Sequence, residues 1–201
     1  MVKALIFDLG RVLVNVDFEM GYSRMAALSG LSREEVRDRL QSSRLAYAFE
    51  SGLMPSGEFA ARVSELMGVS PSIEEFGEIW YSVFHEGPLI PEEFIARLHE
   101  RYRLVLLSNT NALHYEILEQ RLPVLKHFDA YTLSYKLGAQ KPAQAIYRDA
   151  IVKAGCEPGE CFYTDDINEY VDGARAAGIQ AVQFRGLSRL QADLHAAGVA
   201  I

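Results

Sequence analysis

Four short segments carry the residues of this chain that could do chemistry. Phe7-Asp8-Leu9-Gly10 supplies a carboxylate, Leu107-Ser108-Asn109-Thr110 a hydroxyl, Gly138-Ala139-Gln140-Lys141-Pro142 a cation, and Thr164-Asp165-Asp166 a pair of carboxylates. Three of the four follow an apolar run of the kind that reads as a buried strand. Ligands of an open parallel sheet bind beyond the carboxyl ends of its strands. The order therefore predicts one pocket holding Asp8, Ser108, Lys141, Asp165 and Asp166. Carboxylates brought together repel, and burial raises the cost. A divalent cation relieves it, and an all-oxygen donor set suits Mg²⁺. No histidine or cysteine cluster offers a zinc site instead. A hydroxyl beside a helix start, with Asn109 or Thr110 as the cap, is an anion site. A lysine held just ahead of another helix, with Pro142 in its first turn, adds a point charge for phosphate. This is the equipment for handling a phosphate with a magnesium ion.

The elements that must position these groups are legible. Residues 3–8, 103–108, 130–134, 161–165 and 180–184 are short apolar runs, each next to a helical pattern. That alternation predicts a parallel sheet covered on both faces, an α/β class. Helices are expected over residues 91–102, 143–154, 168–177 and 188–197, with Gly155 and Gly178 at two of their C-termini. Residues 18–86 break the alternation. They hold no convincing strand, but Ser32-Arg33-Glu34-Glu35 and Ser72-Ile73-Glu74-Glu75 read as capping boxes, and a helix from Pro55-Ser56-Gly57-Glu58 to Met67 stops at Gly68. A small helical subdomain is expected there, with crossings near residues 15–18 and 85–90.

Composition narrows the partners. The chain has 201 residues, is 49% hydrophobic and carries a net charge of −7. It has no broad basic footprint for nucleic acid or an anionic membrane, so any anion must be captured locally. No apolar stretch is long enough to span a bilayer. The run before Asp8 reads as a strand rather than a signal peptide. Cys156 and Cys161, the only cysteines, form no CxxC pair and read as reduced thiols of a cytoplasmic protein. A monomer or weak homodimer acting on a small molecule is expected.

Taken jointly, these segments give the chain a resemblance to the haloacid dehalogenase superfamily of phosphohydrolases. They are Leu5-Ile6-Phe7-Asp8-Leu9-Gly10-Arg11-Val12-Leu13-Val14, Leu106-Leu107-Ser108-Asn109-Thr110, Gly138-Ala139-Gln140-Lys141-Pro142, and Phe162-Tyr163-Thr164-Asp165-Asp166 with Gly173-Ala174 and Ala177-Gly178 behind it. All four family motifs stand in family order over nearly the full length. The resemblance implies a Rossmann-like three-layer core, residues 1–16 and 87–201, with a helical cap, residues 17–86, inserted after the first strand. It implies Asp8 as the nucleophile that forms an aspartyl-phosphate. The Gly10 carbonyl would ligate Mg²⁺ beside Asp8, and Ser108 and the Asn109 backbone would hold the phosphoryl oxygens. Lys141 would neutralise nucleophile and phosphate, and Asp166 would hold the metal with Asp165 beside it.

One position departs from the pattern. Most family phosphatases carry a second aspartate two residues after the nucleophile, which protonates the leaving oxygen. Here that position is Gly10. General acid help is worth about 10²–10⁴ in rate, so either turnover is slow, or the leaving group needs less help, or another group serves. Asp17 at the cap hinge, Glu50 before a helix start and His114 are the candidates, with Glu50 and Asp17 the better placed to touch substrate. Asp17 also reads as a helix cap, Glu50 as a solvated helix-end charge and His114 as a surface histidine. A branch of the superfamily that writes its first motif Asp-Leu-Gly-x-Val acts on sugar phosphates, so glycine is tolerable for phosphatase work. Metal-independent 2-haloacid dehalogenation is the competing chemistry. Asp165-Asp166 argues against it, and the presence of both Asp8 and Lys141 argues against a non-catalytic member of the fold.

Overall fold

The computed structural model describes all 201 residues, the side chain of Glu86 excepted. Its strands are β1 (Ala4–Phe7), β2 (Val14–Val16), β3 (Phe84–Pro88), β4 (Arg103–Ser108), β5 (Ala130–Leu133), β6 (Cys161–Asp165) and β7 (Gln180–Gln183). Five of them make a parallel sheet in the order β5-β4-β1-β6-β7. The chain fills one side of β1 with β4 and β5, then crosses to the other side for β6 and β7. The switch in direction thus falls at β1, whose carboxyl end is where such a sheet opens a crevice. Phe7 pairs with Leu106 on one side and Thr164 on the other. Asp8, Ser108 and Asp165 therefore emerge together.

Side chains of a strand alternate between faces, and here both faces are buried. Leu5, Phe7, Leu104 and Leu106 pack with α6 (Glu92–His99), α7 (Ala112–Arg121) and α11 (Leu187–Ala196). Ala4, Ile6, Val105 and Leu107 pack on the opposite face with α9 (Gln144–Ala154) and α10 (Asn168–Ala176). A short helix, α8 (Ser134–Leu137), follows β5. Each expected sheet strand and helix is present within a few residues of its expected bounds. Pro142 is a correction: α9 starts at Gln144 with Ala143 at its cap, so the proline precedes the first turn.

The residues between β2 and β3 are helical: α1 (Phe18–Ser29), α2 (Arg33–Ser43), α3 (Leu45–Glu50), α4 (Ser56–Met67) and α5 (Ile73–Tyr81). Both expected capping boxes form, at Ser32 and Ser72. These helices have their own core around Phe59, which stacks on Phe49 at 4.2 Å and meets Phe76 and Trp80 edge-on at 5.9 and 4.8 Å. The expectation of no strand in this region is corrected at its end. The two crossings pair as an antiparallel ribbon, β2 with β3. Gly87 and Pro88 hide β3 from a propensity reading, and β2 is too short to show a period.

Truncating Phe59, which is fully buried, removes the centre of this cluster. The variant Phe59→Ala is expected to lose about 3–5 kcal/mol of stability, seen as a lower urea midpoint with an unchanged slope.

Candidate active site

The centre of the site is an ammonium without solvent. Lys141 Nζ donates to Asp8 Oδ1 at 2.7 Å and to Asp165 Oδ2 at 2.6 Å, and its side chain is 1% exposed. It also reaches the Tyr163 hydroxyl at 3.3 Å and the Leu107 carbonyl at 3.4 Å, and its Nζ lies 4.9 Å from the centre of the Tyr170 ring. The Lys141 backbone is held by one side chain. Asn109 Oδ1 accepts from its N–H at 2.8 Å, and Asn109 Nδ2 donates to its carbonyl at 3.1 Å. That task removes Asn109 as a helix cap. Thr110 is also engaged, its N–H donating to the Ser134 hydroxyl. The cap of α7 is Asn111, which accepts from the His114 N–H at 3.0 Å, and the expected cap at 109 or 110 is corrected accordingly.

Asp8, Asp165 and Asp166 each bring an oxygen within 4.8 Å of the other two. Three carboxylates face one ammonium, so that full ionisation would leave an excess of two negative charges, and Arg11 favours the charged form of Asp166. The electrostatics of the groups follow from this. Burial pushes Asp8 up to about 7 against the pull of Lys141. Burial and then Asp165 raise Asp166. Burial works against the Lys141 charge, but Asp8 and Asp165 outweigh it and hold the ammonium above the usual lysine value. The donor set is oxygen only and short of positive charge, which fits a hard divalent cation. Asp165 is the least available of the three. One oxygen holds Lys141 and the Tyr163 hydroxyl, and the other accepts from the Ile167 N–H at 2.8 Å.

A cleft of about 210 Å³ opens over this centre, lined by Asp8, Gly10, Asn109, Lys141 and Asp166 among others. Ser108 is buried at the tip of β4, its hydroxyl directed to the Asn109 carbonyl at 3.4 Å, and is not part of the cleft wall. Glu50, the last residue of α3, reaches the cleft from the helices between β2 and β3 and is half-buried. Burial pushes its carboxyl up to about 7. Asp17 does not line the cleft. It caps α1 by accepting from the Glu19 N–H at 3.0 Å. His114 is neither on the surface nor in the cleft. It is buried, with Nε2 donating to the Trp80 carbonyl at 2.9 Å, and burial lowers it to about 4.

Three lining residues carry no sequence signal of their own. Arg11 turns the chain out of β1 with φ 57°. Tyr170 covers Lys141. Gln140 donates to the Tyr47 carbonyl at 3.0 Å and the Ser51 hydroxyl at 2.8 Å, tying the lysine loop to the loop after α3. Gln140 lies inside a quoted motif but has no chemistry to single it out.

The family description "haloacid dehalogenase-like hydrolase" matches residues 2–178. The chain belongs to that family. D-ribitol-5-phosphate phosphatase of Bacteroides thetaiotaomicron is 28% identical over 190 residues, covering 91% of this chain and 92% of that protein. A haloacid dehalogenase family enzyme of the same organism, solved in complex with magnesium and inorganic phosphate, superposes with a TM-score of 0.85 at 27% identity, covering 92% of this chain and 96% of that one. A predicted hydrolase of the family from Porphyromonas gingivalis gives 0.83 at 26%, covering 98% of both chains. A 2-haloacid dehalogenase from Pseudomonas syringae, at 19% identity and 0.66, shares the fold and covers 98% of this chain and 99% of that one.

Removing the ammonium leaves Asp8 and Asp165 facing each other. Lys141→Ala is expected to cost about 3–5 kcal/mol at neutral pH. Combined with Asp165→Asn, it should cost clearly less than the two changes summed. Additive losses in urea unfolding would show that the pair is not coupled.

Proposed function

We propose that this chain is a Mg²⁺-dependent phosphatase of small phosphate monoesters that works through an aspartyl-phosphate on Asp8. The observation that carries the reading is the uncompensated charge at the sheet tip, where three carboxylates share one buried ammonium. Family membership makes the chain a hydrolase, and a relative solved with magnesium and inorganic phosphate supports both ligands.

Asp8 is the nucleophile, at the switch point and free on its outer side. Lys141 offsets its charge and that of the incoming phosphate dianion, whose mutual repulsion is the main obstacle to attack. The Asn109 backbone, with Ser108 supporting it from below, offers donors to the phosphoryl oxygens. The metal would be held by Asp8, Asp166 and the Gly10 carbonyl, and when bound it supplies charge neutralisation and polarises the phosphoryl group. Asp165 is better used as the anchor of Lys141 than as a ligand. Residues 17–86 act as the cap and, by covering the cleft, exclude water and macromolecules from it. Sugar and polyol phosphates are the esters that the resemblance and the ribitol relative put first.

The test is a panel of phosphorylated metabolites that includes D-ribitol 5-phosphate, assayed with Mg²⁺ and after EDTA. Turnover should require the metal, and Asp8→Asn should lower it by on the order of 10⁴ or more, because such groups act as a unit. Turnover that survives Asp8→Asn would overturn the mechanism. A 2-haloacid consumed in EDTA would select the dehalogenase reading.

A further inference from the structure

A second cavity lies inside the cap, about 120 Å³ in volume, and its wall shares Phe18 and Glu50 with the cleft over Asp8. Phe18 and Glu50 are therefore walls common to both spaces. The rest of the wall is largely carbon, from Met25, Leu40, Ala46, Ile79 and Val83. Both ring nitrogens of His114 are taken, by Asn111 and by the Trp80 carbonyl. Two other polar groups are not. Trp80 Nε1 is buried without a partner, and nothing among the described residues pairs with the Glu50 carboxyl, which only burial shifts.

Resting on the phosphatase reading, we propose that this cavity receives the alcohol half of the ester and that Glu50, on the wall it shares with the cleft, hands the departing oxygen its proton. Apolar cavities of about 150 Å³ stay dry and take up benzene, so the occupant is a compact, largely apolar group of about that size. A hydroxyl on every carbon would go unpaired against these walls, each at a desolvation cost. One acceptor atom on the alcohol has a waiting donor in Trp80 Nε1. This narrows the substrate to a monoester with a compact apolar alcohol and sets it against polyol esters.

The proton step balances. Asp8 bonds to phosphorus as the ester P–O bond breaks, and the Glu50 proton goes to the alkoxide, which leaves as the alcohol. Glu50, now a carboxylate, takes a proton from the water that attacks phosphorus. Phosphate leaves, and Asp8 and protonated Glu50 are restored. Glu50 thus stands in for the aspartate absent at Gly10. Protonated Glu50 dominates below about 7, so kcat/KM falls as pH rises through that value. Asp8, Arg11, Lys141, Asp166 and Tyr170 face Glu50 from the cleft, and Tyr22 and His114 from the cavity. The limb belonging to Glu50 is the one a substitution there removes.

Trp80 is the only tryptophan, so its emission reports the cavity without turnover. Benzyl alcohol should change it saturably in the wild type and not in Ala46→Phe, which fills the space. With Mg²⁺, benzyl phosphate should exceed D-ribitol 5-phosphate in kcat/KM by at least about tenfold, on the order of 1.4 kcal/mol. Glu50→Gln should lower kcat on benzyl phosphate by about 10²–10⁴ and abolish the descending pH limb. It should spare the first-turnover release of p-nitrophenol from p-nitrophenyl phosphate, whose leaving oxygen needs no proton, while the water step that follows is slowed for both esters; a merely structural role would depress the first turnover of both substrates alike. No saturable emission change, the same change in Ala46→Phe, or polyol ester preferred over benzyl ester would overturn the cavity assignment. Equal losses in the first turnover of both esters would overturn the role of Glu50. If no ester at all is hydrolysed, the phosphatase reading fails, and the emission titration still judges the cavity.

Discussion

The buried ion pair set of Lys141 with Asp8 and Asp165 is the constraint around which the core is arranged. Isolated in a dry interior, an ammonium is expensive, and the carboxylates on either side of it would repel one another if it left. The geometry is held from every direction. Asn109 fixes the Lys141 backbone at two points, and Tyr163 and Asp165 fix the head of its side chain. Asp165 is fixed in turn by the Ile167 N–H. Parallel pairing of β1 with both β4 and β6 brings the tips to one level. The result is a carboxylate, Asp8, that carries a buried cation on one side and the cleft on the other.

The cap is attached to this centre by more than its two crossings. The β2–β3 ribbon joins them as a pair, so the cap hangs from a stiffened double strand rather than two loose linkers. Gln140, next to Lys141, holds the Tyr47 carbonyl and the Ser51 hydroxyl. Gly52 passes so close to the Tyr135 carbonyl that a Cβ there would collide with it, and its φ of +69° favours glycine. His114 on α7 bonds to the Trp80 carbonyl at the end of α5. Glu50 lies between two of these ties, which fixes its approach to the cleft.

How much of this the sequence disclosed depends on the range of the forces involved. Strands buried on both faces must be apolar throughout, so β1, β4 and β6 and the polar residues at their ends stood out. Capping boxes at Ser32 and Ser72 are local chemistry and were equally readable. The α7 cap was not, because Ser108, Asn109, Thr110 and Asn111 are all acceptable caps. The choice is made from afar, by Lys141 taking Asn109 and Ser134 taking Thr110. His114 looked like a surface residue because its partner in burial, Trp80, lies on another element. The role of Arg11, Gln140 and Tyr170 in lining the cleft is likewise a product of tertiary placement.

Moving the proton donor from the nucleophile loop to the cap changes what the cap does. An aspartate two residues after Asp8 would be in place whether or not the cap were seated. A donor on α3 is in place only when α3 is, and α3 is held down by Gln140 and by packing of Phe49 on Phe59. Glu50 also owes its raised carboxyl to burial, and displacing the cap would return water to it and let it ionise. Position and protonation are then lost together. Proton transfer to the leaving oxygen becomes conditional on the same closure that shuts water out, and the ester whose alcohol best fills the cap cavity is the one that best holds the donor where it is needed.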